Sequence, residues 1–89
     1  MLELAIEARE FMAAKEAATD LKRQYRDDRD RFRHAVPGRD WADYLQDPAF
    51  QLCTRKSFNA WQKAKRQQYN AERRLERRYR RLISIGGGA

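Results

Sequence analysis

The fold is decided by VPGRDWADYLQDP, residues 36–48, which holds both prolines of the chain and its only glycine outside residues 86–88. Proline disfavours the helical conformation in the residue before it, and glycine supplies a turn, so a helix arriving at Val36 should end there. Asp47 followed by Pro48 is a helix-start signal, with the acid as the cap and proline at the first helical position. This stretch therefore predicts a connector between two helices.

The sequence before the connector carries a helical pattern. From Leu4 to Phe32, apolar residues recur at steps of three and four, which is typical of a helix that presents one stripe to a partner helix. Helix one should span about residues 2–35. Asp28 interrupts the stripe, and we expect it to lie near solvent or to pair with a base such as Lys56.

The connector itself, residues 36–47, should contain a short helix with Asp40 as its N-cap. It is rich in aromatic and apolar side chains. If these side chains fold back onto the long helices they form core, and if some stay exposed they mark a contact with a protein partner. The candidate partner-binding residues are Trp41, Tyr44, Leu45 and Phe50.

A second stripe follows the connector and again steps by threes and fours, through Cys53 and on to Tyr79. Helix two should span about residues 48–84, with a flexible tail at residues 85–89. Hydroxyl side chains within residues 54–57 are able to cap a fresh start. The sequence therefore leaves open whether helix two breaks near this point.

Two long helices with a short linker predict an all-α fold, an antiparallel helical hairpin with a short helical connector. The length of 89 residues limits the chain to a single domain. Many stripe positions hold alanine or polar residues, so two helices alone would bury little area. We therefore expect either the connector to fold back as a third element, or a homodimer to complete a four-helix bundle.

Charge is distributed unevenly along the chain. The formal net charge is +7, but residues 1–44 contain nine Lys/Arg and ten Asp/Glu, whereas residues 45–89 contain eleven Lys/Arg and three Asp/Glu. On a helical projection, the cations of helix two occupy the face opposite the stripe and one flank of it. The candidate nucleic-acid-binding residues are Lys63, Arg66, Arg73, Arg74, Arg77, Arg78, Arg80 and Arg81.

A one-sided row of arginines favours a polyanionic partner. The planar guanidinium suits bidentate contact with phosphate, and neutralising phosphates releases counterions without any reading of bases. The sequence therefore predicts a small binding protein whose second helix engages nucleic acid, DNA or RNA, alone or within a nucleoprotein machine, without sequence specificity.

Two other interpretations of the same residues remain open. In the first, the protein is an adaptor or inhibitor that docks on an acidic surface of a larger protein through the connector and the basic face. Accessory genes of mobile elements often encode small proteins of this kind. Alternatively, the basic face is merely solvated and keeps a small protein soluble.

Few residues offer catalytic or metal-binding chemistry. The chain has one histidine, His34, and one cysteine, Cys53, and no glycine-rich loop between a strand and a helix, so we expect no enzyme, no cofactor and no metal site. No apolar run approaches the roughly 20 residues of a membrane span. With one cysteine and an acidic N-terminus unlike a signal peptide, we expect a cytoplasmic protein with no membrane partner.

Overall fold

The computed structural model describes residues 2–87, with side chains through Ser84. Three helices follow one another, α1 (Leu2–Ala35), α2 (Trp41–Gln46) and α3 (Pro48–Gly87). α1 and α3 pack along each other, and α2 closes one end of a rod of 65 × 20 × 16 Å. The predicted all-α helical hairpin is confirmed. α3 extends past the predicted end of helix two, and residues 88–89 of the predicted tail lie outside the described residues.

The turn after α1 follows from its proline and glycine. The Val36 N–H donates to the Phe32 carbonyl at 2.9 Å and closes the last turn of α1. Gly38 then adopts a φ of 86°, in the left-handed region that side chains other than glycine rarely accept. The Tyr44 hydroxyl donates to the Val36 carbonyl at 2.6 Å, which holds α2 against the end of α1.

The start of α3 is capped by Asp47. Its Oδ1 accepts a hydrogen bond from the Ala49 N–H at 2.8 Å, and the Arg39 guanidinium pairs with its other carboxylate oxygen. The hydrogen bond from Arg39, followed by that from Ala49, holds the pKa of Asp47 below its ordinary value of 3.8. The acid before the proline thus satisfies orphan donors of the first turn.

α3 continues through residues 54–57 without a break. The two buried hydroxyl side chains there bond back to their own helix instead of capping a new one. The Thr54 hydroxyl donates to the Phe50 carbonyl at 2.9 Å, and the Ser57 hydroxyl donates to the Thr54 carbonyl at 3.1 Å. Both polar groups are therefore satisfied inside the helix pair.

Aromatic side chains form the core of the closed end. Phe50 is only 2% exposed, and its ring meets those of Phe32 at 5.3 Å and Trp41 at 5.8 Å, both edge to face. Tyr44 is equally buried and lies 6.0 Å from Phe50. The connector therefore folds back as the third element.

The middle of the hairpin combines an aromatic cluster of Tyr25, Phe58 and Trp61 with small residues. Tyr25 of α1 stacks on Trp61 of α3 at 5.6 Å between ring centroids. Ala18, Ala64 and Ala71 are all buried, and their short side chains let the two helices approach closely. The core is consequently narrow, as the alanine-rich stripe indicates.

The stripe of α3 differs from the predicted one at both ends. Cys53 is exposed and Thr54 is buried in its place, whereas Tyr79 is 57% exposed and Arg78 turns towards α1. A series of buried and half-buried positions runs along α3 from Phe50 to Arg78 in alternating steps of four and three, a seven-residue repeat. The apolar residues of the sequence follow this repeat in the middle of α3 but depart from it at positions 53 and 79. The predicted places of Cys53 and Tyr79 in the stripe were wrong.

Asp28 lies half-buried in the α1 stripe. Its carboxylate lies 3.8 Å from the guanidinium of Arg31, one turn later on the same helix. The partner is therefore Arg31 rather than Lys56, because the i, i+3 spacing brings the two side chains together without any tertiary constraint.

Candidate nucleic-acid interface

The predicted cations lie along 19 residues of α3, from position 63 to position 81, and the first and last of these are roughly 27 Å apart along the helix at 1.5 Å per residue. Seven of the eight side chains are exposed, and among the described residues none of the seven pairs with a carboxylate. We call these seven the cationic face: Lys63, Arg66, Arg73, Arg74, Arg77, Arg80 and Arg81.

The charge of α3 is not balanced by its neighbour. α3 contains eleven Lys/Arg and only two Glu, a formal charge of +9, whereas α1 contains eight of each sign. The acids of α1 pair with α3 at one place only within the described residues, at Arg78. The hairpin therefore presents one neutral helix and one strongly basic helix to solvent.

Arg78 is the eighth predicted cation, and it faces α1. Its Nε and Nη2 donate to the two carboxylate oxygens of Glu7 at 3.0 and 2.9 Å, and its Nη1 donates to Glu3 at 2.7 Å. These bidentate, charge-assisted bonds are stronger than neutral ones. The projection placed Arg78 on a flank of the basic face, but the structure places it in the contact between α1 and α3.

The ion pair changes the pKa values of both Glu7 and Arg78. The hydrogen bonds from Arg78 hold the pKa of Glu7 below its ordinary value of 4.5, against the opposite effect of burial. The charges of Arg74 and Arg81 lower the pKa of Glu7 further. The same hydrogen bonds raise the pKa of Arg78. Glu7 therefore stays ionised at neutral pH because the neighbouring arginines outweigh the effect of burial on its pKa.

A cleft opens where these residues meet. It has a volume of about 200 Å³ and is lined by Arg74, Arg77, Arg78, Arg81 and Glu7. The arginines are spaced by three and four residues, so they share one side of two successive turns. We call this feature the arginine cleft.

Tyr69 adds an aromatic surface beside the cationic face. Its ring is exposed, and the guanidinium of Arg73 lies 5.6 Å from the ring centroid. An exposed ring next to a cation offers a platform on which an unpaired base can stack.

The four candidate partner-binding residues, three in the connector and Phe50 in the first turn of α3, divide into two pairs. Tyr44 and Phe50 are buried core, whereas Trp41 is 41% exposed and Leu45 is 44% exposed. One side of Trp41 is covered by Arg29, whose guanidinium lies 5.0 Å from the indole centroid. Only Trp41 and Leu45 thus remain accessible to a partner.

The residues that could carry catalytic or metal-binding chemistry lie apart from one another in the described part of the chain. His34 and Cys53 are both exposed, on different helices. Within residues 2–87, no group of three or more His, Cys, Asp and Glu side chains is placed to hold a metal ion. Over the same residues, no helix has an apolar stretch long enough to cross a membrane.

Comparisons of the chain with protein-family models, with curated proteins and with solved structures found no match.

Proposed function

We propose that this protein binds nucleic acid, DNA or RNA, through the cationic face of α3 and without reading base sequence. The observation that supports this function is the set of seven exposed cations that have no carboxylate partner among the described residues. Like charges three and four residues apart destabilise a helix. A polyanion laid along the face relieves that repulsion and releases its own counterions.

The dimensions of the face suit a phosphate backbone. A strand of duplex carries one phosphate per 3.4 Å of axis, so roughly 27 Å of helix runs beside about eight phosphates. The rod also presents much surface for its mass, 7163 Å², against about 5,500 Å² for a compact protein of this size. Six of the seven cations are arginines, whose fork binds phosphate in a bidentate manner.

A charge-reversal series tests this function. The triple variant Arg73→Glu, Arg77→Glu, Arg80→Glu should lose at least about a hundredfold in affinity for labelled duplex DNA, single-stranded DNA or RNA at low salt, measured by fluorescence anisotropy. The order of the three ligands in the wild type then identifies the preferred nucleic acid.

The matched control carries the same charge change on α1, at exposed arginines outside the cationic face: Arg9→Glu, Arg23→Glu, Arg26→Glu. We expect the control to lose only a few-fold in affinity, because its side chains lie on the neutral helix. Unchanged affinity in the α3 variant, or an equal loss in both variants, would show that the cationic face is not the binding surface.

Docking on a larger protein is a second candidate function, supported by the exposed apolar residues of the connector. Trp41 and Leu45 are accessible, and Leu45 borders a groove of about 360 Å³ with Tyr25 and Phe58. Exposed aromatics at such a groove often mark a protein contact. The double variant Trp41→Ala, Leu45→Ala should then abolish binding to a purified partner while nucleic-acid affinity stays unchanged. If the variant still binds the partner, the connector is not the contact surface.

A further inference from the structure

We propose that the arginine cleft is a seat for a phosphoryl group, a fixed anion site within an otherwise diffuse basic surface. The inference deepens the proposed function and rests on it, since in a nucleic-acid complex the phosphoryl group is a phosphate of the backbone. The same chemistry also occurs in a free phosphoryl anion such as inorganic pyrophosphate.

The geometry of the cleft concentrates positive charge in a concave space. Arg74, Arg77 and Arg81 are exposed and lack a carboxylate partner among the described residues, and with Arg78 they surround about 200 Å³. The other pockets of the described residues that a cation of α3 lines, at Arg55 and at Lys65, each contain only one cation from that helix. A concave group of guanidiniums directs several N–H donors at one point, which a convex row does not.

Arg78 forms part of the wall of this cleft. Three of the five N–H donors of its guanidinium are already used by Glu7 and Glu3. These bonds fix Arg78 in the cleft wall and offset the negative charge that Glu7 would otherwise present to an incoming anion. Four arginines against two carboxylates leave the cleft positive, with Arg74, Arg77 and Arg81 free to bind the ligand.

A phosphoryl group fits this arrangement better than a carboxylate does. A free or terminal phosphoryl group has three or more acceptor oxygens and more than one negative charge. A backbone phosphodiester keeps one negative charge and two non-bridging oxygens on the same tetrahedral phosphorus, so it engages the guanidiniums through those two oxygens. One carboxylate satisfies a single guanidinium fork and one unit of charge. Three free guanidiniums therefore match the tetrahedral oxygens of a phosphoryl group.

The first experiment measures binding of inorganic pyrophosphate by isothermal titration calorimetry at low salt. Arg74→Gln with Arg81→Gln should weaken binding at least tenfold, whereas Arg23→Gln with Arg26→Gln removes the same charge from α1 and should change it by less than twofold. Both pairs are exposed, and helical circular dichroism verifies that each variant is folded. Absence of measurable binding by the wild type, or equal weakening in both variants, would overturn the phosphoryl seat.

The second experiment identifies the source of the phosphoryl group. Affinity for an oligonucleotide is compared between Arg74→Gln with Arg81→Gln and Arg66→Gln with Arg73→Gln, which removes two charges from the cationic face outside the cleft. A loss at least fivefold larger for the cleft pair assigns the seat to a backbone phosphate. Equal losses together with selective pyrophosphate binding assign it to a free phosphoryl anion and leave the proposed function intact. Pyrophosphate binding without any oligonucleotide binding would overturn the proposed function but not the seat.

Discussion

Replacing Phe50 by alanine should remove most of the stability of the hairpin. The ring is 2% exposed and packs against Phe32, Trp41 and Tyr44, with centroids 5.3 to 6.0 Å away. Deleting a buried phenyl ring costs about 3–5 kcal/mol in transfer and cavity terms. A chain of 89 residues has a total free energy of unfolding on the order of 4–13 kcal/mol. Because the rest of this core is mostly alanine, the real value should lie near the lower end.

The assay is urea denaturation followed by helical circular dichroism. Phe50→Ala should shift the midpoint far towards low urea, or leave the chain partly unfolded without denaturant. Leu52→Ala is the matched control, since Leu52 lies on the same turn of α3 but is 72% exposed, and surface substitutions change stability by less than about 0.5 kcal/mol. A cost below about 1 kcal/mol for Phe50→Ala, or an equal cost for the control, would refute the placement of the core at the closed end.

Three further predictions concern the contacts that hold the hairpin together. Because Arg78 lowers the pKa of Glu7, this ion pair stabilises the fold at pH values above 4.5, the ordinary pKa of the carboxyl, and its contribution is lost as the pH falls through the lowered pKa. The melting temperature should therefore drop on acidification, and less steeply in Glu7→Gln. An identical pH profile in both proteins would contradict a stabilising pair between Glu7 and Arg78. Tyr44→Phe should cost about 1 kcal/mol by removing the hydroxyl that bonds to Val36, and Tyr69→Phe, at an exposed ring, should cost nothing measurable by urea titration. Ala71→Leu should destabilise by about 1–3 kcal/mol through overpacking of a buried contact, whereas Ala17→Leu on the exposed side of α1 should be neutral; equal midpoints in urea would mean that the helices do not meet at Ala71.

The helix boundaries on both sides of the connector could be predicted from the sequence alone. Pro37 with Gly38, and Asp47 with Pro48, restrict the backbone locally, so both boundaries could be predicted from neighbouring residues, and the structure has α1 ending at Ala35 and α3 beginning at Pro48. The apolar spacing of the long helices likewise predicts which sides pack together near Trp61 and Ala64, because those residues lie in the middle of the stripe.

The ends of the stripe and the arginine cleft could not be predicted in the same way. The apolar pattern places Tyr79 and not Arg78 on the side of α3 that meets α1. In the structure Arg78 lies on that side, where the carboxylates of Glu3 and Glu7 pair with it. Glu7 and Arg78 are 71 residues apart, so their pairing depends on the register of one helix against the other. The antiparallel arrangement was the available signal: it brings the acids at the start of α1 opposite the arginines at the end of α3.

The salt dependence of oligonucleotide affinity tests the binding of nucleic acid by the cationic face most directly. Equilibrium titrations at several NaCl concentrations would compare the wild type with Arg73→Gln, Arg77→Gln, Arg80→Gln. If the seven cations meet phosphates, the slope of log affinity against log salt should be about −4 to −6 for the wild type, and shallower by roughly 2 to 3 units in the variant. A slope near zero, or the same slope in both proteins, would contradict binding through this face.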